Sequence, residues 1–395
     1  MKKFSFLIAG LLLALFQPAT ALSAPNWTVY YNIKYGVTDQ ETADLYLLNK
    51  GINPAVVFIH GGAWQAGDKS NYAGSDAEMF AMAGFNVVSI NYRLASYGDR
   101  TTQWNAQLQD VQLAIRWLRQ NANRFRIDPT RIGALGESAG GHLALFLGSL
   151  KGSVSNLSGG IDRSTYFPKQ SPKVSAVVDM FGPTDLTQSA IYTWLAHLAL
   201  FGARSYFEVP NLYRDASPIF ALSKKTAPTC IVQGTADTVV PVYQSIELRD
   251  RLSSLGVPFQ WIPFNGGHAF TGIPSSLKTV IYNQALQCLS GFLHTNPVGS
   301  VGFVVSARAQ SPGPDVGRHL AETVCSACHK IEAYSQGPGP NPNAPNFVDI
   351  SLMPSMSELA IKVFLRSPHP SMPNIILSSE EIDSIAAYIK SLNKK

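Results

Sequence analysis

Gly136-Glu137-Ser138-Ala139-Gly140 follows an apolar run at 132–135 and precedes a helical pattern at 142–147. A serine flanked by small residues at a strand-to-helix turn is a nucleophile arrangement. Glycines tolerate the tight turn, and the turn lifts the hydroxyl clear of the sheet. A hydroxyl is a weak nucleophile until a base takes its proton. His268, in a loop after the last apolar run, carries an imidazole able to take and return that proton. Asp237, in a loop after an earlier run, can hold the imidazole in one tautomer and balance its charge. Asp185, after Gly182-Pro183-Thr184, also ends an apolar run and competes for that role. His60-Gly61-Gly62-Ala63-Trp64 lies after a third run, where glycines let backbone N–H groups approach a developing oxyanion. The N–H of Ala139, at a helix N-terminus, is aimed at the same charge. His60 and His142 read as structural, one fixing a loop and one on a helix face.

A second constellation lies far down the chain. Cys325-Ser326-Ala327-Cys328-His329 is a C-x-x-C-H motif. Two thiols three residues apart can each form a thioether with a haem vinyl group, and the adjacent histidine then faces the iron. A zinc or thioredoxin-like reading needs further Cys/His pairs or a βαβ context, and the sequence supplies neither.

These residues need elements to hold them. Apolar runs at 55–59, 85–90, 132–135, 174–181, 230–232 and 259–262 alternate with helical patterns at 110–119 and 277–293. That alternation predicts an α/β fold with a mostly parallel sheet and helices on both faces. Segments 150–172 and 186–217 interrupt the rhythm and are rich in Tyr, Phe and Trp. They fit either a cap over the sheet edge or ordinary core packing. Residues 296–314 are punctuated by Pro and Gly and mark a linker. Beyond it, a helix from Val316 runs into the C-x-x-C-H motif. Residues 378–392 form an amphipathic closing helix with Ile382, Ile385, Ala386 and Ile389 on one stripe, and Ser378 and Glu381 spaced as a capping box. A Pro/Gly/Asn-rich loop and then His369-Pro370-Ser371-Met372-Pro373 lie between.

The 395 residues suffice for two folded units, and the net charge of +5 comes without any dense Lys/Arg run, which argues against nucleic-acid binding. Met1-Lys2-Lys3, an apolar run at 4–16 and Ala19-Thr20-Ala21 compose a secretory signal peptide over 1–24. The run is too short to span a membrane, which takes about 20 residues. Export to the bacterial periplasm or medium is expected, with no membrane span once the signal is cut. Cys230 and Cys288 are then either a disulfide or two buried thiols.

Residues 26–294 resemble the α/β-hydrolase family, in particular the HGG-type esterases: the hormone-sensitive-lipase-like and BD-FAE-type carboxylesterases. The resemblance rests on His60-Gly61-Gly62-Ala63-Trp64, Asn91-Tyr92-Arg93-Leu94, Gly136-Glu137-Ser138-Ala139-Gly140-Gly141, Gly234-Thr235-Ala236-Asp237 and Gly267-His268. The order Ser, acid, His is the one this fold uses. It implies a Ser138–Asp237–His268 triad, preferred over one with Asp185, and an oxyanion hole of Gly61, Gly62 and Ala139. Many relatives have Asp where this chain has Glu137, a difference that does not touch the triad. The region 312–395 resembles small cytochrome c domains, which are all-α. That resemblance implies one covalent haem c on Cys325 and Cys328, with His329 and Met372 as axial ligands. Met353, Met356 and His369 are alternatives to Met372.

The expected organisation is a signal peptide at 1–24, a hydrolase domain at 25–295, a linker at 296–314 and a cytochrome c domain at 315–395. The expected activity is hydrolysis of small-molecule carboxylic esters through an acyl-enzyme, beside a tethered electron carrier with a periplasmic redox partner. Amide hydrolysis of the arylformamidase kind is the near alternative. The other is an electron-transfer protein whose hydrolase-like part only binds.

Overall fold

The sheet is built from β1 (Trp27–Lys34), β2 (Thr42–Leu48), β3 (Asn53–Ile59), β4 (Asn86–Ile90), β5 (Ile127–Glu137), β6 (Ala176–Met180), β7 (Thr229–Gly234) and β8 (Phe259–Phe264). The last six are the apolar runs of the sequence. The computed structural model describes residues 26–293, except 73, 151, 153, 155–156, 158, 160–161, 190 and 192–198. It also describes 314, 317–318, 321, 325, 329–331, 344–353, 356–366 and 379–393. The expected signal peptide, nearly all of the expected linker, Cys328, His369 and Met372 lie outside the described residues.

Strand order is β1-β2-β4-β3-β5-β6-β7-β8. β2 runs antiparallel to β1 and β4, and every other neighbouring pair is parallel. The alternating side chains of a strand feed two cores. Ala55, Val57 and Ile59 of β3 enter one cluster, and Val56 and Phe58 enter the other. The helices divide accordingly. α1 (Ser75–Met82) and α5 (Ser275–Phe292) cover one face, while α2 (Ala106–Gln120), α3 (Ala139–Ser149) and α4 (Tyr243–Leu255) cover the other. Ser138, Asp237, His268 and Gly61 follow β5, β7, β8 and β3, so the parallel part of the sheet delivers all four to its carboxyl edge.

The interrupting segments pack in part as core, while Phe207 and Leu157 stand exposed. Phe201 is fully buried, and Tyr166, Phe167 and Tyr206 lie against the same cluster as α2 and α3. Arg163 pins its segment to the body: its Nε donates to Glu41 Oε1 at 2.6 Å, with Asp110 Oδ1 3.8 Å away.

Cys230 on β7 and Cys288 on α5 are joined in a disulfide across 58 residues of chain. Both are buried. A cross-link closing a loop of that length restricts the unfolded chain, worth about 2–4 kcal/mol. The Cys230→Ser/Cys288→Ser variant is therefore expected to lose about 2–4 kcal/mol of unfolding free energy, seen as a lower denaturation midpoint. Unchanged denaturation midpoints would mean that the bridge adds nothing.

The described C-terminal residues are helical: α6 (Phe347–Leu352), α7 (Glu358–Arg366) and α8 (Ser379–Ser391). The stripe of Ile382, Ile385, Ala386 and Ile389 on α8 is buried, as its spacing requires. α6 and α7 occupy ground where the composition predicts only loop. No helix among the described residues is long and apolar enough to cross a membrane.

Candidate active site and haem site

Ser138 sits between β5 and α3 with φ 52° and ψ −118°, a strained backbone for a residue with a Cβ. The turn is held from two sides. Ser138 N–H donates to Met180 O on β6 at 2.8 Å, and Gly140 presses on β3 so closely that a Cβ there would stand 1.9 Å from Ile59 O. Gly140 therefore tolerates no side chain, which is the physical content of the second glycine in the motif.

A continuous hydrogen-bonded run leads away from the hydroxyl. Ser138 Oγ lies 2.9 Å from His268 Nε2, and His268 Nδ1 lies 2.8 Å from Asp237 Oδ2. The carboxylate accepts, so Nδ1 carries the proton and Nε2 is left to accept from the serine. The Asp237 side chain is wholly buried while that of His268 is 17% exposed, so the base faces the outside and its partner does not. Asp237 Oδ1 accepts from the N–H groups of Val239 and Val240, each at 2.8 Å. Gln233 Nε2 approaches Asp237 Oδ2 at 3.3 Å and donates to Val240 O at 3.0 Å, and its own Oε1 accepts from Ser245 Oγ at 2.8 Å. The ring of His268 is steadied edge-on by Phe181, with centroids 5.1 Å apart.

The backbone around the serine offers donors. Ala139 is the first residue of α3, and the first N–H groups of a helix have no partner within it. Gly61 is packed against the turn: a Cβ there would come within 2.9 Å of Glu137 O and 3.3 Å of Ser138 Cβ. Gly62 turns the chain back, its carbonyl accepting from Gln65 and Ala66 N–H. His60 Nδ1 donates to Gly61 O at 2.7 Å and its ring stacks on Tyr92 at 4.3 Å. Burial lowers the His60 pKa, keeping the ring neutral. Trp64 Nε1 donates to His142 Nδ1 at 3.3 Å, and His142 Nε2 donates to Ala216 O at 2.7 Å. Burial pushes His142 down to about 4, so this histidine is a neutral brace.

In the C-terminal region Cys325 is buried, and His329 N–H donates to Cys325 O at 2.9 Å, closing one helical turn. His329 Nδ1 donates to Pro345 O at 2.7 Å. That bond fixes the tautomer and leaves Nε2 as the ring's acceptor, the arrangement of a metal-ligating imidazole. Cys325 lies in a core with Ala321, Ile331, Phe347, Ile361 and residues of α8. A thiol and an imidazole with its Nδ1 already bonded, one turn apart, fit a thioether-linked haem.

The BD-FAE family model matches residues 43–252, more than half of the chain. The chain belongs to the BD-FAE family. Residues 315–393 match the cytochrome c family model, so this BD-FAE hydrolase domain is followed by a cytochrome c domain. Esterase LipC of Mycobacterium tuberculosis is 29% identical over 229 residues, covering 55% of this chain and 53% of LipC. The probable carboxylic ester hydrolase LipM of the same organism is 30% identical over 273 residues, covering 67% of this chain and 58% of LipM. The chain thus spans little more than half the length of these relatives. A truncated carbohydrate esterase from gut microbiota is 30% identical with a TM-score of 0.60, covering 69% of this chain and 98% of that one.

The structure brings Ser138, His268 and Asp237 together, with Gly61 and Ala139 beside the serine. Asp185 turns elsewhere: its carboxylate accepts from Thr187 N and Oγ1 and from Gln188 Nε2. Met353 is 41% exposed and Met356 packs against the core of the cytochrome c domain. The shelf of Gln233 and Ser245 beneath Asp237 has no signature in the sequence. Only its position four residues before the acid distinguishes Gln233.

Proposed function

We propose that the chain is an exported serine carboxylesterase working through an acyl-enzyme, carrying a tethered c-type haem domain for electron transfer. The observation that carries the hydrolase half is the unbroken run Asp237–His268–Ser138 at the carboxyl edge of the sheet. His268 Nε2 takes the hydroxyl proton as Ser138 Oγ attacks the ester carbonyl. The charge that gathers on the carbonyl oxygen is met by the N–H groups of Ala139, Gly61 and Gly62. His268 then hands its proton to the leaving alcohol, and water deacylates the serine by the same path in reverse.

The substrate reading is a small-molecule ester with a short acyl group. The similarity to a carbohydrate esterase supports acetylated sugars as the first class to try. We place the hydrolase domain at 25–295, the linker at 296–314 and the cytochrome c domain at 315–395. Export is supported by the buried Cys230–Cys288 disulfide, which suits an oxidising compartment, and by the signal-like start of the chain. A fluorophosphonate probe is expected to label the wild type and not Ser138→Ala. An unlabelled wild type overturns the serine mechanism.

The cytochrome c match implies haem c. One haem would be held covalently by Cys325 and Cys328, with His329 Nε2 and Met372 on the iron. Such a group supplies one-electron exchange with a periplasmic partner. Purified from a host able to attach haem, the chain is expected to carry one covalent haem with a reduced c-type spectrum. The Cys325→Ala/Cys328→Ala variant is expected to carry none. A colourless wild type from such a host overturns this half.

A further inference from the structure

Glu137 precedes the nucleophile and is half-buried, yet the triad makes no direct use of it. Tyr282 on α5 donates its hydroxyl to Glu137 Oε1. Among the described residues, four other groups act on this carboxyl electrostatically: Lys278 from α5, Asp76 from α1, Tyr72 from the 3-10 turn Lys69–Tyr72, and His268 from the loop after β8. Lys278 and Asp76 pair with each other at 3.3 Å. Between the imidazole and Tyr282 stands an aromatic wall. Phe181 touches His268 at 5.1 Å, Phe270 touches Phe181 at 5.1 Å, and Tyr282 touches Phe270 at 5.7 Å.

We propose that Glu137 is a positioning residue whose half-buried negative charge, held by Tyr282, stabilises the imidazolium form of His268 beside this apolar wall. The proposal rests on the serine-esterase reading. A charge acts further through rings and buried backbone than through water, because little solvent screens it. His268 must become cationic each time it takes the Ser138 proton, so a fixed anion behind the ring lowers the energy of that step. Burial raises the Glu137 pKa above the ordinary carboxylate value, while the Tyr282 hydrogen bond and the Lys278 charge pull it back down. The device requires Glu137 to be ionised, which the Tyr282 hydrogen bond favours.

The test replaces charge while keeping shape. Glu137→Gln retains an oxygen to accept from Tyr282. In kcat/KM for a short-chain aryl ester, the acidic limb of the pH profile is expected to move to lower pH by about half a unit to one unit. At the plateau kcat falls about three- to tenfold, with KM within about twofold of the wild type. The ring titration of His268, followed by NMR, is expected to move in the same direction, and this readout needs no turnover. Glu137→Asp keeps the charge and returns both readouts towards the wild type. Tyr282→Phe removes the donor that favours the charged form, and shifts the limb in the same sense as Glu137→Gln by a smaller amount. A Gln variant whose limb and ring titration coincide with the wild type within about 0.2 unit overturns the proposal, as does an Asp variant displaced as far as the Gln variant. Should the wild type hydrolyse no ester, the esterase reading fails instead, and the ring titration still decides the role of Glu137.

Discussion

Ser138→Ala is expected to lose about a million-fold in kcat on a short-chain ester, with little change in stability. The variant keeps the elbow. Alanine carries a Cβ as serine does, so it meets the same positive φ, and the backbone bond to Met180 O does not involve the side chain. What disappears is the hydroxyl 2.9 Å from His268. The backbone N–H groups of Gly61 and Ala139, proposed to meet the oxyanion, remain, so a residual rate above the uncatalysed reaction should survive. Adding His268→Ala to this variant should cost almost nothing more, because base and nucleophile act as one unit. Steady-state rates, corrected by titrating active enzyme, check both points. A Ser138→Ala protein retaining more than about one part in a hundred would place the nucleophile elsewhere.

The parts of the molecule legible in the sequence are those whose physics is local. β3, β4, β6, β7 and the Ile132–Gly136 part of β5 are buried on both faces, so they appear as continuous apolar runs, and the half-buried edge strand β8 still keeps a short one. β1 is an edge strand with Tyr30 and Tyr31 exposed side by side, and its register with β2 slips between Tyr30 and Ile33. Neither alternation nor a continuous run survives that, so β1 leaves no mark in the pattern. α6 and α7 are short and lie beside a Pro/Gly/Asn-rich stretch whose composition masks them. At the site, Ser138 and the HGG glycines announce themselves because a tight turn or a close backbone approach leaves few residue choices. The pairing of Cys230 with Cys288 is open in the sequence because it depends on where α5 crosses β7. The Gln233–Ser245 shelf depends on α4 packing beside β7, and Glu137 on α5 presenting Tyr282. Contacts between distant elements leave no local pattern to read.

Asp237→Asn is expected to lower kcat about ten-thousand-fold while leaving the fold intact. The carboxylate now receives four donors: two backbone N–H groups on Oδ1, and the His268 Nδ1–H and the more distant Gln233 amide on Oδ2. An amide has only one accepting atom. The oxygen of the introduced amide will stay with Val239 and Val240, since the opposite orientation would turn an NH2 group against two N–H donors. The NH2 then faces His268 Nδ1, which can only accept from it. The imidazole proton moves to Nε2, where it points at Ser138 Oγ, and the ring can no longer take the hydroxyl proton. The buried carboxylate that balanced the imidazolium is lost in the same change. Asp185→Asn, at a carboxylate bonded only to Thr187 and Gln188 among the described residues, should stay within a few-fold of the wild type. If instead Asp185→Asn were the crippled variant and Asp237→Asn kept about a tenth or more of the rate, the acid of the triad would be Asp185 and the hydrogen bond at His268 Nδ1 would have no catalytic part.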